Sequence, residues 1–218
     1  MERFMNDPEH ERQRQRLVNG IREKGITDKS VLQAINTIPR HLFMTEELQE
    51  KAYVDKAFPI GEGQTISQPY TVAYQTWLLH IMPGDKVLEI GTGSAYQAVI
   101  LAEIGAQVFT IERQKRLFEL NKSFPLLRKY LSNKYFYGDG YEGLPTYAPF
   151  DRIIITAAAP EIPPKLIQQL RPGGKMVIPV GGGEIQQMRR ITKLENGAIM
   201  EEVFDNFSFV PMLGGKKG

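Results

Sequence analysis

The sequence predicts an α/β fold: a doubly wound, mostly parallel sheet with helices ahead of it and an antiparallel hairpin behind it. Three observations predict this class. Between Lys86 and Val180 short apolar strands alternate with helical stretches, a pattern that right-handed crossovers turn into a parallel sheet. The first of these strands runs straight into a glycine-rich turn, Gly91-Thr92-Gly93. Later the rhythm changes to two strand-like runs, Gln186 to Leu194 and Ile199 to Phe209, joined across Glu195-Asn196-Gly197, a strong hairpin signal. At 218 residues the chain suits one domain with a sizeable core. Its parts are N-terminal helices and a loop (1–83), the core of the sheet (84–183), and the hairpin with a tail (184–218).

Each element has a local reason. Residues 8–24 read as a polar helix with Leu17, Val18 and Ile21 at helical spacing. A second helix follows Thr27-Asp28, either of which can cap it, with Val31, Leu32, Ile35 and Ile38 inward, and Pro39 stops it. A shorter helix is expected over 45–52. Residues 53–69 read as an irregular Gly- and Pro-rich loop, too long for a plain connector and ordered by Tyr53, Phe58, Ile60 and Ile66. Strands are expected at Lys86 to Ile90, Gln107 to Ile111, Lys134 to Tyr137, Asp151 to Thr156 and Lys175 to Val180. Helices fall between them at Tyr96 to Ile104, at Gln114 to Tyr130 with a break near Pro125, and at Pro164 to Leu170, closed by Pro172-Gly173-Gly174.

Composition narrows the chemistry. With 27 basic and 25 acidic residues the net charge is +2, so no global field recruits nucleic acid or a membrane surface. The local clusters Arg12, Arg14, Arg16 and Arg189-Arg190 read as solvated faces. The chain has no cysteine, which excludes disulfides, thiolate metal sites and a cysteine nucleophile. The opening Met1-Glu2-Arg3-Phe4 lacks the apolar core of a signal peptide, and no apolar run approaches ~20 residues, so a cytoplasmic protein is expected.

Glycine at 91 and 93 permits a tight strand-to-helix turn and lets backbone approach a ligand at the carboxyl edge of the sheet. Any buried turn of that kind can use glycine, so its neighbours carry the argument. Glu112 follows the second strand, 112 − 91 = 21 residues after Gly91, where an acidic side chain can hold ribose hydroxyls. Glu89 precedes the first glycine by two residues, and Gly138-Asp139-Gly140 follows the third strand. Acidic groups at three strand ends suit a ligand built of an amino acid, a ribose and an adenine. Tyr96 stands where a nicotinamide fingerprint has its third glycine, which argues against a dinucleotide.

The end of the fourth strand reads Thr156-Ala157-Ala158-Ala159-Pro160 and lacks the Asn/Asp-Pro-Pro-aromatic motif of methyltransferases acting on base nitrogens. The three alanines are expected to leave room for a polypeptide, their alternative being tight packing under a loop. Upstream, Phe58 to Tyr70 offers the hydroxyls of Thr65 and Ser67 and the amides of Gln64 and Gln68. Ser67 is not a triad nucleophile, since no Gly-x-Ser-x-Gly elbow surrounds it and only His10, His41 and His80 exist as partners. Its plain alternative is a turn residue before Pro69.

Taken together, Ala52-Tyr53-Val54-Asp55, the loop containing Ile66-Ser67-Gln68-Pro69-Tyr70, the run Glu89 to Gln97, Gly138-Asp139-Gly140, Ala148-Pro149-Phe150-Asp151, Thr156 to Pro160, Gln169-Leu170, Gly173-Gly174 and Phe209-Val210-Pro211 resemble the protein-L-isoaspartate O-methyltransferases. The likeness spans about residues 39 to 213. It implies a Rossmann-like S-adenosylmethionine methyltransferase fold and S-adenosyl-L-methionine as cofactor, with no metal. It implies that isoaspartyl peptides and damaged proteins are the substrates, acted on by a monomer. Methylating the abnormal carboxylate there gives an ester that collapses to a succinimide, which reopens partly as normal aspartate. Carried over by position, the cofactor-binding residues are Ile66, Ser67, Gln68, Glu89, Gly91, Thr92, Gly93, Glu112, Asp139, Gly140 and Thr156. The substrate-binding ones are Asp55, Pro59, Ile60, Gln64, Thr65, Ala157, Ala158, Val210 and Pro211, and Ser67 orients the reacting groups. Two positions depart from the family: Ala95 replaces a usual glycine, and Asn206-Phe207-Ser208 lacks an arginine often found there. The rival classes are a nicotinamide oxidoreductase, disfavoured by Glu89, Tyr96 and the hairpin, and a cofactor-binding module without activity.

Overall fold

The structure is a computed structural model that describes residues 7–130 and 132–218; the opening Met1-Glu2-Arg3-Phe4 lies outside it. Two helices come first. Helix α1 (Pro8–Glu23) is capped by Asp7, whose side chain accepts from the Glu9 N–H. Helix α2 (Lys29–Thr37) is capped by Asp28, which accepts from the Ser30 and Val31 N–H groups. Short 3₁₀ turns follow at Arg40–Phe43 and Glu46–Lys51, so the helix expected over 45–52 is a tighter and shorter one.

The segment expected to be an irregular loop is not one. It holds a two-stranded antiparallel ladder, β1 (Phe58–Gly61) and β2 (Gln64–Ile66), in which Phe58 pairs with Ile66 and Pro59 with Thr65. Its turn uses positive φ at Gly61, Glu62 and Gly63, a conformation the glycines allow. Sequence reasoning also passed over helix α3 (Pro69–Leu79). Nine of its eleven residues are buried, polar Thr71, Gln75 and Thr76 included, so it shows no apolar stripe to detect.

The remaining elements alternate as expected: β3 (Lys86–Ile90), α4 (Tyr96–Glu103), β4 (Gln107–Glu112), α5 (Lys115–Ser123), β5 (Lys134–Tyr137), β6 (Phe150–Ile155), α6 (Pro164–Gln169), β7 (Leu170–Val180), β8 (Gln186–Lys193) and β9 (Ile199–Phe207). They form one seven-stranded sheet in the order β5-β4-β3-β6-β7-β8-β9. Pairing is parallel from β5 to β7 and antiparallel for β7–β8 and β8–β9. The Pro172-Gly173-Gly174 segment, expected to close α6, already belongs to β7, and Leu170 pairs with Phe150.

Both faces of the parallel strands are covered, so successive strand residues enter different cores. Val87, Val108, Ile154 and Val177 join the core beneath α1 to α4, whereas Leu88, Phe109, Ile153 and Met176 join the one beneath α6. Among the described residues no helix is long and apolar enough to cross a membrane.

Candidate active site

Strand β3 lies between β4 and β6, and the crossovers leave it in opposite directions. A crevice therefore opens at the carboxyl ends of β3 and β6, where doubly wound sheets bind ligands. A pocket there is lined by Gln64 to Ser67, Gly91 to Ser94, Glu112, Gly140, Thr156, Ala157, Val210 and Pro211. Thirteen of the residues singled out from sequence thus meet on one pocket, although they come from six separate parts of the chain.

The turn after β3 is held by backbone and by one carboxylate. The N–H groups of Gly91 and Thr92 both donate to the Ile111 carbonyl, at 3.0 and 3.3 Å. Gly91 has φ +96°, and a Cβ there would come within 2.6 Å of Thr156 Oγ1, so another residue would be strained and would displace the Thr156 side chain. Thr156 Oγ1 in turn donates to the Ile90 or Gly91 carbonyl. Glu112 closes the turn from the β4 side: its Oε2 accepts from the Gly93 N–H at 2.9 Å and its Oε1 from the Gln114 N–H at 2.8 Å. Burial pushes the Glu112 carboxyl above its ordinary range, and these backbone donors pull it back. Ala95 adopts a left-handed backbone (φ 67°) with its methyl fully buried, so this chain keeps at position 95 the conformation that a glycine would take without strain.

Glu89 does not reach the pocket surface. It is buried beneath the turn, where Thr110 Oγ1 donates to Oε2 and Thr92 Oγ1 lies 2.7 Å from Thr110 Oγ1. Its Oε1 has no partner among the described residues, and neither has Oε1 of Gln97, which lines the pocket. Burial raises the Glu89 pKa from 4.5 to about 8, so the folded protein holds a proton that the unfolded chain releases. Stability should then fall as pH rises from about 4.5 to about 8, because only the folded state binds that proton in this window. Thermal denaturation of Glu89→Gln across the same window should give a flatter profile than the native chain; equal slopes would contradict the assignment.

Several expected residues serve the pocket from behind or not at all. Asp139 accepts from Tyr141 N–H through Oδ1 and from Gly215 N–H through Oδ2 at 2.6 Å, so it anchors the C-terminal tail. Arg113 grips the same tail through the Gly214 and Gly215 carbonyls. Asp55 accepts from the Tyr70 N–H and pairs with Lys24 at 2.6 Å, which fixes the entry into α3. Ile60 packs behind Gly93, and the exposed Pro59 pairs with Thr65 inside the ladder.

The three alanines do not form one open gap, which corrects the expectation. Ala157 faces the pocket, but Ala158 and Ala159 are buried. Ala158 N–H donates to the Val210 carbonyl at 2.8 Å, Met212 N–H donates back to the Ala158 carbonyl at 2.7 Å, and Ala159 N–H donates to Pro179. The returning tail occupies that room and so brings Val210 and Pro211 to the site. Sequence reasoning missed the apolar or aromatic Val72, Ile90, Tyr96, Ile111, Met212 and Leu213 as lining residues, and with them Ser94, Gln97 and Arg113. Gln97, the second residue of the helix after the glycines, was the one with a local signal.

A second cleft, of about 670 Å³, lies between residues 57–71 and 205–210. Thr65, Ser67, Thr156 and Val210 line both cavities, so the two meet at these side chains. Gln68 lines only the second. The Ser67 hydroxyl has no side-chain hydrogen bond among the described residues and stands where the cavities join.

Comparison with known proteins agrees with this geometry. A family model described as protein-L-isoaspartate(D-aspartate) O-methyltransferase matches residues 12–217. A protein-L-isoaspartate O-methyltransferase of Cytophaga hutchinsonii is 53% identical over 94% of this chain and 92% of its own length. Its counterpart in Flavobacterium psychrophilum is 52% identical over 96% and 98%. Among solved structures, a protein-L-isoaspartate O-methyltransferase from Plasmodium falciparum in complex with S-adenosyl-L-homocysteine superposes with a TM-score of 0.79, at 26% identity, over 92% of this chain and 98% of that one. A turn shaped for close backbone approach, a strand-end carboxylate and a second cleft joined at Ser67 thus stand in a chain that belongs to the protein-L-isoaspartate(D-aspartate) O-methyltransferase family.

Proposed function

We propose that this chain transfers a methyl group from S-adenosyl-L-methionine to the free carboxylate of L-isoaspartyl, and D-aspartyl, residues in damaged proteins and peptides, at the junction of the two cavities. The observation that carries the reading is the shared lining of Thr65, Ser67, Thr156 and Val210, which gives a donor and a peptide one meeting point.

The residues present suit that donor. Backbone at Gly91 and Gly93 can approach it, Glu112 offers a carboxylate to the ribose hydroxyls, and Gln97 Oε1 is a buried acceptor awaiting a donor or a cation. When bound, the donor supplies an electrophilic methyl group. The protein's own part is modest, because the acceptor carboxylate is ionised at neutral pH, with an intrinsic pKa near ~4, and needs no general base. Ser67 and Thr65 orient it with hydroxyls, while Ile66 and Val210 exclude water from the junction. Asp139 acts by holding the tail that closes the pocket and Gly140 by its closeness to Ile90, where a Cβ would come within 2.5 Å of Cγ2. The proposal includes action as a monomer in the cytoplasm, without nucleic acid, a reading the net charge of +2 supports in its last part.

Transfer of a labelled methyl group should be seen with an isoaspartyl peptide and be negligible with its normal L-aspartyl counterpart. Equal transfer to both would remove the repair function. Ser67→Ala should slow transfer without abolishing it, since one hydrogen bond to a charged group is worth about 1.5–3 kcal/mol, or roughly ten- to a hundredfold in rate. Calorimetry should show cofactor binding little changed in that variant. Methylated Ser67 in mass spectra of enzyme mixed with cofactor alone would instead point to a covalent route.

A further inference from the structure

We infer that Asp205 selects substrates by charge: the second cleft takes isoaspartyl peptides carrying a lysine or arginine close to the damaged residue and disfavours those with an acidic residue there. The inference rests on the proposed methyl transfer and adds to it a determinant of which peptides are taken.

Asp205 is the single charged residue among the described residues lining the cleft. Its neighbours there are neutral polar groups such as Thr71 and Asn206 and apolar ones such as Ile185 and Phe207. The carboxylate is also oriented. Tyr74, buried in α3, donates its hydroxyl to Asp205 Oδ2 at 2.8 Å, and the Tyr74 ring packs on Phe207 with centroids 4.9 Å apart. No ion pair involves Asp205 among the described residues, so its charge is not spent within the protein. Beside Tyr70, another residue lining the cleft, Lys24 lies 5.0 Å over the ring and is itself paired with Asp55 at 2.6 Å.

The backbone supplies an independent reason. Arg189 pairs with Val203 and Gln187 with Asn206, so two steps along β8 are matched by three along β9. The extra residue is a bulge at Phe204-Asp205, a device that re-aims side chains next to binding sites. The acceptor carboxylate belongs at the junction near Ser67 and Val210, and Asp205 repels anions, so Asp205 recognises another part of the peptide. Asp205 and Val210 line the same cleft, so a peptide whose isoaspartate sits at the junction runs past Asp205. An extended peptide rises about 3.3 Å per residue, so a cationic side chain a few residues from the isoaspartate can meet it.

The test compares kcat/KM for three isoaspartyl peptides that differ only in carrying Lys, Ala or Glu near the isoaspartate, with the native chain, Asp205→Asn and Asp205→Lys. Asparagine keeps an oxygen for the Tyr74 hydroxyl, so its fold is preserved. The native chain should favour the Lys over the Glu peptide by about three- to tenfold at low ionic strength, the range expected of one exposed charge pair gained and one repulsion avoided. Added salt should shrink the ratio. Asp205→Asn should bring it near one and Asp205→Lys should invert it, with the Ala peptide unaffected in all three. A ratio that stays the same in both variants overturns the inference while leaving methyl transfer intact. Failure of the native chain to methylate the Ala peptide overturns the proposed function instead.

Discussion

Replacing Arg40 by alanine is expected to destabilise the protein by about 3–5 kcal/mol, the cost of two buried carbonyls left without donors and of the cavity left behind, against a total stability of about 5–15 kcal/mol. Arg40 is wholly buried. Its Nε donates to the Ala52 carbonyl at 2.9 Å, its Nη2 to the Lys56 carbonyl at 3.3 Å, and its guanidinium lies 5.1 Å over the ring of Tyr96. Burial lowers its pKa to about 10, so it stays charged at neutral pH. One side chain thereby joins the segment after α2, the approach to the ladder and the first residue of α4, whose ring lines the pocket at the sheet's carboxyl edge. Alanine would leave two carbonyls without donors and a cavity under Tyr96. Urea denaturation should show a large fall in midpoint at unchanged slope. Arg40→Lys should recover only part of the loss, because an ammonium cannot serve both carbonyls in the plane of a guanidinium. A midpoint within error of the native one in Arg40→Ala would show that the network is dispensable.

The second large effect is expected at Glu112. Glu112→Ala removes the proposed ribose acceptor and also leaves the Gly93 and Gln114 N–H groups without their carboxylate. Two charge-assisted hydrogen bonds at about 1.5 kcal/mol each predict a loss of affinity for S-adenosyl-L-homocysteine of roughly a hundredfold or more. Glu112→Gln should fall between, since one amide oxygen can replace only one of the two acceptors. Calorimetric titration reads both. Unchanged affinity in Glu112→Ala would remove this residue from the cofactor site, and tight binding of NAD in its place would revive the oxidoreductase reading.

Much of the architecture was legible locally. Alternating strand and helix patterns, the Gly91-to-Gly93 turn, the Asp28 cap and the Glu195-Asn196-Gly197 hairpin each depend on neighbours a few residues apart, and each appears where the pattern requires it. Helix α3 was not legible, because it is buried all round and its Thr and Gln side chains hide the helical period. The ladder at Phe58–Gly61 and Gln64–Ile66 was hidden for the opposite reason: its strands are only four and three residues long and rich in turn formers.

The sequence by itself determined the fold class, the family and the residues from which the site is built, since these are properties of local pattern and motif. Only the tertiary structure decided how they share the work. It sent Asp139 to the tail and Asp55 to the entry of α3, it used Ala158 to pair with the returning chain, and it set Thr65 and Val210, 210 − 65 = 145 residues apart, on both sides of one junction. A carboxylate at a strand end can meet a ligand or a backbone N–H with equal chemical ease. Which it meets depends on where a distant segment packs, and that is settled by the crossing of α3, β6 and the tail, which no local run of residues encodes.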